Sequence, residues 1–153
     1  MDPLRTELLF LLDGGRAHLR VLDALTGFRP EQRGERPPGC DHSPWQLVEH
    51  MRLAQRDILS YCTSARYRAL AFPDGYWPRR PAPPNARAWA RSVAGFRADL
   101  KQLCSVVKDP RVDLLAPIPR IGVSWLHELG IVANHNSYHA GQLLQLRKMM
   151  AAS

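Results

Sequence analysis

Four stretches of this sequence place apolar residues at alternating steps of three and four, which is the spacing of one face of an amphipathic α-helix. They cover residues 4–28, 43–65, 85–107 and 124–150. No stretch alternates polar and apolar residues over five positions, so the sequence predicts no β-strand. The joints between the stretches are proline-rich and roughly 15 to 20 residues long, which is more than a simple up-and-down bundle needs. We therefore predict an all-α four-helix bundle with long crossover-type connections, formed by residues 1–153 as a single domain.

The first stretch carries a histidine on the side that is predicted to face the core. His18 continues the seam of leucines and follows the pair Gly14-Gly15. Two adjacent glycines cost helix stability, so they indicate a close backbone approach, a bend or a ligand at this point. We consider His18 a candidate for orienting a substrate or for acid–base catalysis. A core histidine satisfied by hydrogen bonds is the alternative.

The composition sets bounds on where the protein works. A chain of 153 residues with 45% hydrophobic residues is long enough to bury one core without disulfide support. Cys40, Cys62 and Cys104 are widely spaced and form no C-x-x-C pair, which indicates reduced thiols. No apolar run approaches the roughly 20 residues of a membrane span, and no signal peptide is recognised, so we expect a cytoplasmic protein without a membrane partner.

The net charge of +7 does not by itself indicate a nucleic-acid partner. The excess consists mostly of arginines dispersed along the chain, and no basic run is longer than Arg79-Arg80. A nucleic-acid surface needs basic residues clustered on one face, often interleaved with aromatic residues. We therefore expect a small-molecule substrate instead.

The fourth stretch places two histidines one helical turn apart. His135 and His139 are separated by four residues, so their imidazoles can converge on one point. Asn136 and Gln142 lie on the same face, and this many buried polar side chains need hydrogen-bond partners within the core. A cation bound by the imidazoles and surrounded by the hydrogen-bonding amides would give these buried groups their partners.

The second stretch offers a third imidazole. His50 flanks the apolar seam there, and Glu49 and Asp57 are the nearest acids, with Asp57 a candidate catalytic group and Glu49 a candidate supporting group. The residues alone leave two readings open. One is a metal site with three histidines, and the other is a hydrogen-bonded core network without a metal.

A combined histidine motif spans two segments of the chain. The segments read HSPWQLVEHMRLAQRDIL in the second stretch and HELGIVANHNSYHAGQLLQLRK in the fourth. The motif is one histidine on the earlier helix and H-x3-H-x-G-Q on the later one, and it falls on His50, His135, His139, Gly141 and Gln142. In this respect the chain resembles the DinB-like (DinB/YfiT) superfamily of metal-dependent four-helix-bundle proteins. The resemblance covers essentially the whole chain, although Ala140 stands where the motif often carries arginine.

This resemblance implies an open metal site and a reaction type. Three neutral imidazoles leave at least one position free on a divalent ion, and nitrogen ligands suit zinc, nickel or iron. Superfamily members include bacillithiol and mycothiol S-transferases, so a low-molecular-weight thiol S-transferase or a hydrolase is the expected activity. The alternative is a non-catalytic, stress-associated protein that binds metal and dimerises.

Two further expectations concern the surroundings of the site. Tyr76 and Trp77 lie in a long joint and are expected either to line the substrate pocket or to cap the end of the bundle. Leu9, Leu12 and Leu19 widen the apolar face of the first stretch, and together with the family resemblance they predict a homodimer.

Overall fold

The computed structural model describes residues 2–151, and this range contains five α-helices and no β-strand. The helices are α1 (Pro3–Asp13), α2 (Val21–Ala24), α3 (Pro44–Thr63), α4 (Ala86–Lys108) and α5 (Trp125–Ala151). Two short 3-10 turns, Pro30–Gly34 and Asp74–Tyr76, lie in the connections. The all-α prediction is confirmed.

The four longer helices pack in a ring. Helix α3 packs against α4 and α5, and α1 packs against the same two helices from the other side. The connections from α1 to α3 and from α4 to α5 therefore run between helices that are diagonal in the bundle. The diagonal crossings account for the length of these two connections, whereas the third, residues 64–85, joins the neighbouring helices α3 and α4. No helix within residues 2–151 is both long and apolar enough to cross a bilayer.

The first predicted stretch is not one helix. Helix α1 ends at Asp13, and Gly14 and Gly15 both adopt positive φ angles, 75° and 88°, which only glycine adopts readily. A Cβ atom added at Gly14 would lie 2.8 Å from the His18 ring. The chain bends there, so His18 is exposed in the bend, and its predicted position on the core side of a helix is wrong.

Local sequence signals set the starts of α3 and α4. Ser43 and Gln46 form a capping box, in which the Ser43 hydroxyl accepts from the Gln46 amide N–H at 3.2 Å and the Gln46 side chain accepts from the Ser43 amide at 3.2 Å. Pro44 occupies the first helical position, where its missing N–H costs nothing. Asn85 caps α4 by accepting from the Ala88 amide at 2.9 Å. The start of α3 agrees with the sequence prediction.

A polar network of two amide side chains crosses the apolar core. Asn136 of α5 donates through Nδ2 to Gln55 Oε1 of α3 at 2.9 Å, and Gln55 Nε2 donates to the Phe96 carbonyl of α4 at 2.9 Å. Asn136 and Gln55 are both buried. Because buried amides are costly unless paired, this network favours one alignment of the three helices over others.

The three cysteines are free thiols, as the spacing predicted. Burial raises the pKa of the Cys62 thiol to about 12 and also raises that of Cys104. A raised thiol pKa leaves little thiolate at neutral pH, so these two side chains act as packing residues. Cys40 is half-buried.

Candidate metal centre

Three histidines from two helices meet in the bundle. His50 of α3 is brought against His135 and His139 of α5, and one ring nitrogen of each lies within 4.8 Å of those of the other two. The closest pair is His135 Nε2 and His50 Nε2, which are 2.9 Å apart. His135 and His139 lie on successive turns of α5, with ring centroids 4.4 Å apart. The structure thus brings together the three side chains that the sequence predicts as metal ligands.

Hydrogen bonds to the outer ring nitrogens orient two of these imidazoles. His50 Nδ1–H donates to the Tyr76 carbonyl at 2.9 Å, and His139 Nδ1–H donates to Gln142 Oε1 at 2.6 Å. A neutral imidazole that carries its proton on Nδ1 has its lone pair on Nε2. The Nε2 atoms of both rings are therefore available as metal ligands. The groups that hold the rings are the Gln142 side chain and the main-chain carbonyl of Tyr76.

The interior position of the cluster keeps the histidines neutral. Burial is the main cause that lowers the pKa of His50 to about 4; the hydrogen bond to the Tyr76 carbonyl opposes this shift, and the nearby His139 and His42 add to it. Burial likewise lowers the pKa of His135 to about 4 and lowers that of His139. Near neutral pH all three rings are uncharged, which is the form that binds metal.

The donor set fits a divalent cation. Two nitrogens bound at ~2.1 Å to one ion lie about 2.9 to 3.4 Å apart. His50 Nε2 and His135 Nε2 already have this spacing at 2.9 Å, whereas spacings in the cluster reach 4.8 Å and have to shorten for one ion to bind all three rings. Three neutral imidazole nitrogens suit zinc, nickel or iron, and they leave part of the coordination sphere free. Partners on the outer nitrogens are also typical of histidines that bind metal.

Trp77 covers one face of the cluster, and a further histidine covers Trp77. The indole stacks on His50 with centroids 3.7 Å apart, and His42 stacks on the opposite side of the indole at 4.0 Å. His42 Nδ1 is buried with no hydrogen-bond partner in the described part of the chain, and burial lowers the pKa of its ring. Sequence reasoning did not identify His42, because this residue precedes α3 and no helical spacing connects it to the other histidines.

A cavity of about 350 Å³ opens beside His139. We call it the His139 cavity, and its walls come from the loop before α3, from Trp77 and from α5. No lysine or arginine lines it among residues 2–151. The residues that line it are Gly39, Cys40, Asp41, His42, Leu47, Trp77, Tyr138, His139, Gln142, Gln145 and Leu146. Trp77 lines this cavity, whereas Tyr76 does not.

Two predicted residues are bonded to groups outside the cluster. Both oxygens of the Glu49 carboxylate accept from Arg52, at 2.6 and 2.8 Å. His18 contacts the Ser137 hydroxyl at 2.9 Å through Nε2 and the Leu19 carbonyl at 2.7 Å through Nδ1. Glu49 and His18 are thus held by partners that are not among the three histidines.

Asp57 and Asn136 also have partners of their own. Asp57 accepts from the Tyr76 and Tyr67 hydroxyls at 2.7 and 3.2 Å. Asn136 donates to Gln55, and its Oδ1 is buried without a hydrogen-bond partner in the described residues. Asp57 is therefore linked to the histidine cluster through Tyr76 rather than through its own carboxylate.

The chain was compared with models of protein families. The model described as the DinB superfamily matches residues 15–143, a range that includes the three clustered histidines, His42, Asp57 and Trp77. A comparison with curated proteins found no match, and neither did a comparison with solved structures.

Proposed function

This chain belongs to the DinB superfamily, and from that membership we propose that it is a metal-dependent enzyme whose His50, His135 and His139 hold one divalent cation. The observation that carries the proposal is the convergence of three neutral imidazoles within 4.8 Å, two of them with Nε2 lone pairs fixed by hydrogen bonds at Nδ1. In the metal-free protein the 2.9 Å contact between His50 Nε2 and His135 Nε2 is a hydrogen bond, which is the core-network alternative, and metal analysis separates the two. The proposed activity is that of a low-molecular-weight thiol S-transferase or a hydrolase.

Residues around such a site would orient the histidine rings and exclude water. Gln142 and the Tyr76 carbonyl hold the His139 and His50 rings in the orientation that presents Nε2. Trp77 lies flat on His50 and keeps water from that side of the ring. When bound, a divalent cation would supply charge that lowers the pKa of a coordinated thiol or water, which is chemistry common to both proposed reactions.

The His139 cavity is the proposed substrate site. Tyr138 and Trp77 provide aromatic walls, and Gln142, Gln145 and His42 provide groups that can form hydrogen bonds. Since its only charged lining residue within the described range is Asp41, the part of the substrate that enters is expected to be neutral or cationic. Polar anchors in a mostly apolar pocket are typical of small-molecule sites.

Metal analysis of the purified protein tests this proposal. The protein would be loaded separately with zinc, nickel or iron(II), desalted and analysed for metal per chain. We expect about one ion per chain, and loss of most of it in His50→Ala, His135→Ala and His139→Ala because two ligands make a poor site. His127→Ala is the matched control, since His127 is an exposed histidine on the same helix. Stoichiometric metal in folded His139→Ala protein would contradict the proposal.

A further inference from the structure

Tyr76 is attached to α3 at two points. Its carbonyl accepts from His50 Nδ1–H at 2.9 Å, and its hydroxyl donates to Asp57 Oδ2 at 2.7 Å. Positions 50 and 57 lie on the same side of the helix, two turns or about 10.5 Å apart. The residue therefore lies along α3, with its main chain at the histidine cluster and its side-chain hydroxyl at Asp57.

This attachment matters because the segment that carries Tyr76 has little regular structure. Residues 64–85 connect α3 to α4 and contain one 3-10 turn, Asp74–Tyr76. After Tyr76 the segment is held to the start of α3, where Gln46 Nε2 donates to the Pro78 carbonyl at 3.2 Å and Ser43 Oγ donates to the Pro81 carbonyl. Before Trp77, the side-chain hydrogen bonds from the described residues of the segment to α3 go to Asp57, and the Tyr67 ring also contacts Tyr61 of α3.

The Asp57 carboxylate is well suited to bind the tyrosine hydroxyls of this segment. Hydrogen bonds from a hydroxyl to a carboxylate are stronger than those between neutral groups. One oxygen, Oδ2, accepts from both Tyr76 and Tyr67, and no arginine or lysine forms an ion pair with Asp57 in residues 2–151. The neighbouring Arg56 pairs instead with the buried Asp99 at 2.7 Å. The Asp57 carboxylate thus has the two phenols as its partners.

We propose that Asp57 is a positioning residue for His50 that acts through Tyr76. By fixing the Tyr76 ring, the carboxylate places the Tyr76 carbonyl where it accepts from His50 Nδ1–H, and so it keeps the Nε2 lone pair directed at His135 and His139. Any effect of Asp57 on metal binding rests on the proposed function. The effect of Asp57 on the orientation of the His50 ring exists in the metal-free protein as well.

Nuclear magnetic resonance of the ring nitrogens provides the direct test. In metal-free protein at neutral pH, two-bond proton–nitrogen spectra should show His50 in the form protonated at Nδ1. Asp57→Ala and Tyr76→Phe should each increase the form protonated at Nε2, since both remove the bond that fixes Tyr76. Tyr67→Phe is the matched control: it removes a phenol from the same carboxylate oxygen but has no carbonyl bonded to His50. An unchanged His50 ring in both Asp57→Ala and Tyr76→Phe would overturn the proposal.

Metal affinity is the second measurement, and it separates the two hypotheses. Asp57→Ala and Tyr76→Phe are expected to weaken binding by about 10-fold, at the lower end of the effect of losing an outer partner of a metal-binding histidine. Tyr67→Phe should change it by less than ~2-fold, and the double variant Asp57→Ala/Tyr76→Phe should resemble the single ones because both lose the same bond. If the wild-type protein binds no metal, the proposed function fails while the His50 spectra still decide the role of Asp57. If the wild type binds metal and Tyr76→Phe binds it equally well, the positioning role is wrong.

Discussion

The imidazole of His50 and the indole of Trp77 lie face to face, with ring centroids 3.7 Å apart and planes within 2° of parallel. Trp77 belongs to the connection between α3 and α4, so a loop residue supplies one wall of a site whose three histidines come from helices. Removing water from the His50 ring contributes to the burial that lowers its pKa. The connection is therefore part of the candidate centre.

Replacing the indole should loosen a bound metal ion. In Trp77→Ala the face of His50 is open to water, and we expect the metal to dissociate about 10-fold faster because the apolar shell of a site limits solvent access. Capture of the released ion by a coloured chelator measures the rate. Trp77→Phe retains an aromatic ring and should lie between this variant and the wild type. Equal release rates in Trp77→Ala and wild type would show that the stack has no influence on the ion.

In the metal-free protein, His50 and His135 should make the folded state less stable as pH falls from 6.5 to about 4. The pKa of His50 and of His135 is about 4 in the folded protein, against 6.5 for an ordinary histidine. As pH falls through this window the unfolded chain takes up protons before the folded one, so unfolding becomes more favourable. Above pH 6.5 the contribution of these two histidines to stability is fully present.

Thermal unfolding of chelator-treated protein across this pH range checks the prediction. Burial raises the pKa of Asp99 and Glu128, and these carboxyls have the opposite pH dependence. The comparison is therefore made with His135→Gln, which should show a smaller fall in unfolding temperature towards pH 4 than the wild type. A fall of the same size in both proteins would mean that His135 does not take part.

Helix starts and the histidine cluster were predictable because their signals are local or periodic. The capping residues of α3 lie within four positions, and His135 and His139 are placed by helix geometry alone. Periodicity failed in the first stretch. Leucines continue at helical spacing beyond Gly14, but the positive φ of two glycines ends α1, and the spacing gave His18 a core position that it does not have.

The remaining parts of the site depend on loop conformation. The Tyr76 carbonyl that bonds to His50 has no sequence signature, because every residue has a carbonyl. His42 reaches Trp77 only through the path of the connection before α3. One sequence signal was missed. Glu49 and Arg52 are three residues apart on a helix, a spacing that predicts an ion pair, and Arg52 Nη2 lies 2.6 Å from Glu49 Oε1 in the structure. This pair places the Glu49 carboxylate on Arg52 and not on one of the three histidines.

The homodimer remains a prediction, and the structure changes the residues on which it rests. Leu12 is buried, whereas Phe10 and Leu11 of α1 and Tyr138 of α5 are exposed, Leu11 at 58%. We expect light scattering at high micromolar concentration to give the mass of two chains, and Leu11→Glu to shift it towards one chain because a charge in an apolar interface is costly. Leu115→Glu is the control, since Leu115 is 63% exposed in the connection before α5. A wild-type protein that remains monomeric at this concentration would contradict the prediction.

The last prediction concerns the reaction. Metal-loaded protein would be offered glutathione, mycothiol, bacillithiol or water alone, each with a panel of electrophiles and esters. In thiol transfer the sulfur forms a bond to an electrophilic carbon, the bond to the leaving group breaks with its electron pair, and the thiol proton ends on the leaving group or in solvent. In hydrolysis, water supplies the nucleophilic oxygen. We expect turnover with a thiol or with water, since the aromatic and amide walls of the His139 cavity can hold a substrate next to the cluster, and the panel distinguishes the two reactions.

Variants connect any turnover to the site. His139→Ala should reduce the rate by more than the ~10- to 100-fold typical of losing an outer partner, because it removes a proposed ligand itself. His127→Ala should retain wild-type rates, since this exposed residue lies outside the cluster. Turnover with water alone would make the protein a hydrolase. If protein that retains one metal ion per chain turns over none of these substrates, the non-catalytic alternative is favoured, because the metal site would then be intact but inactive.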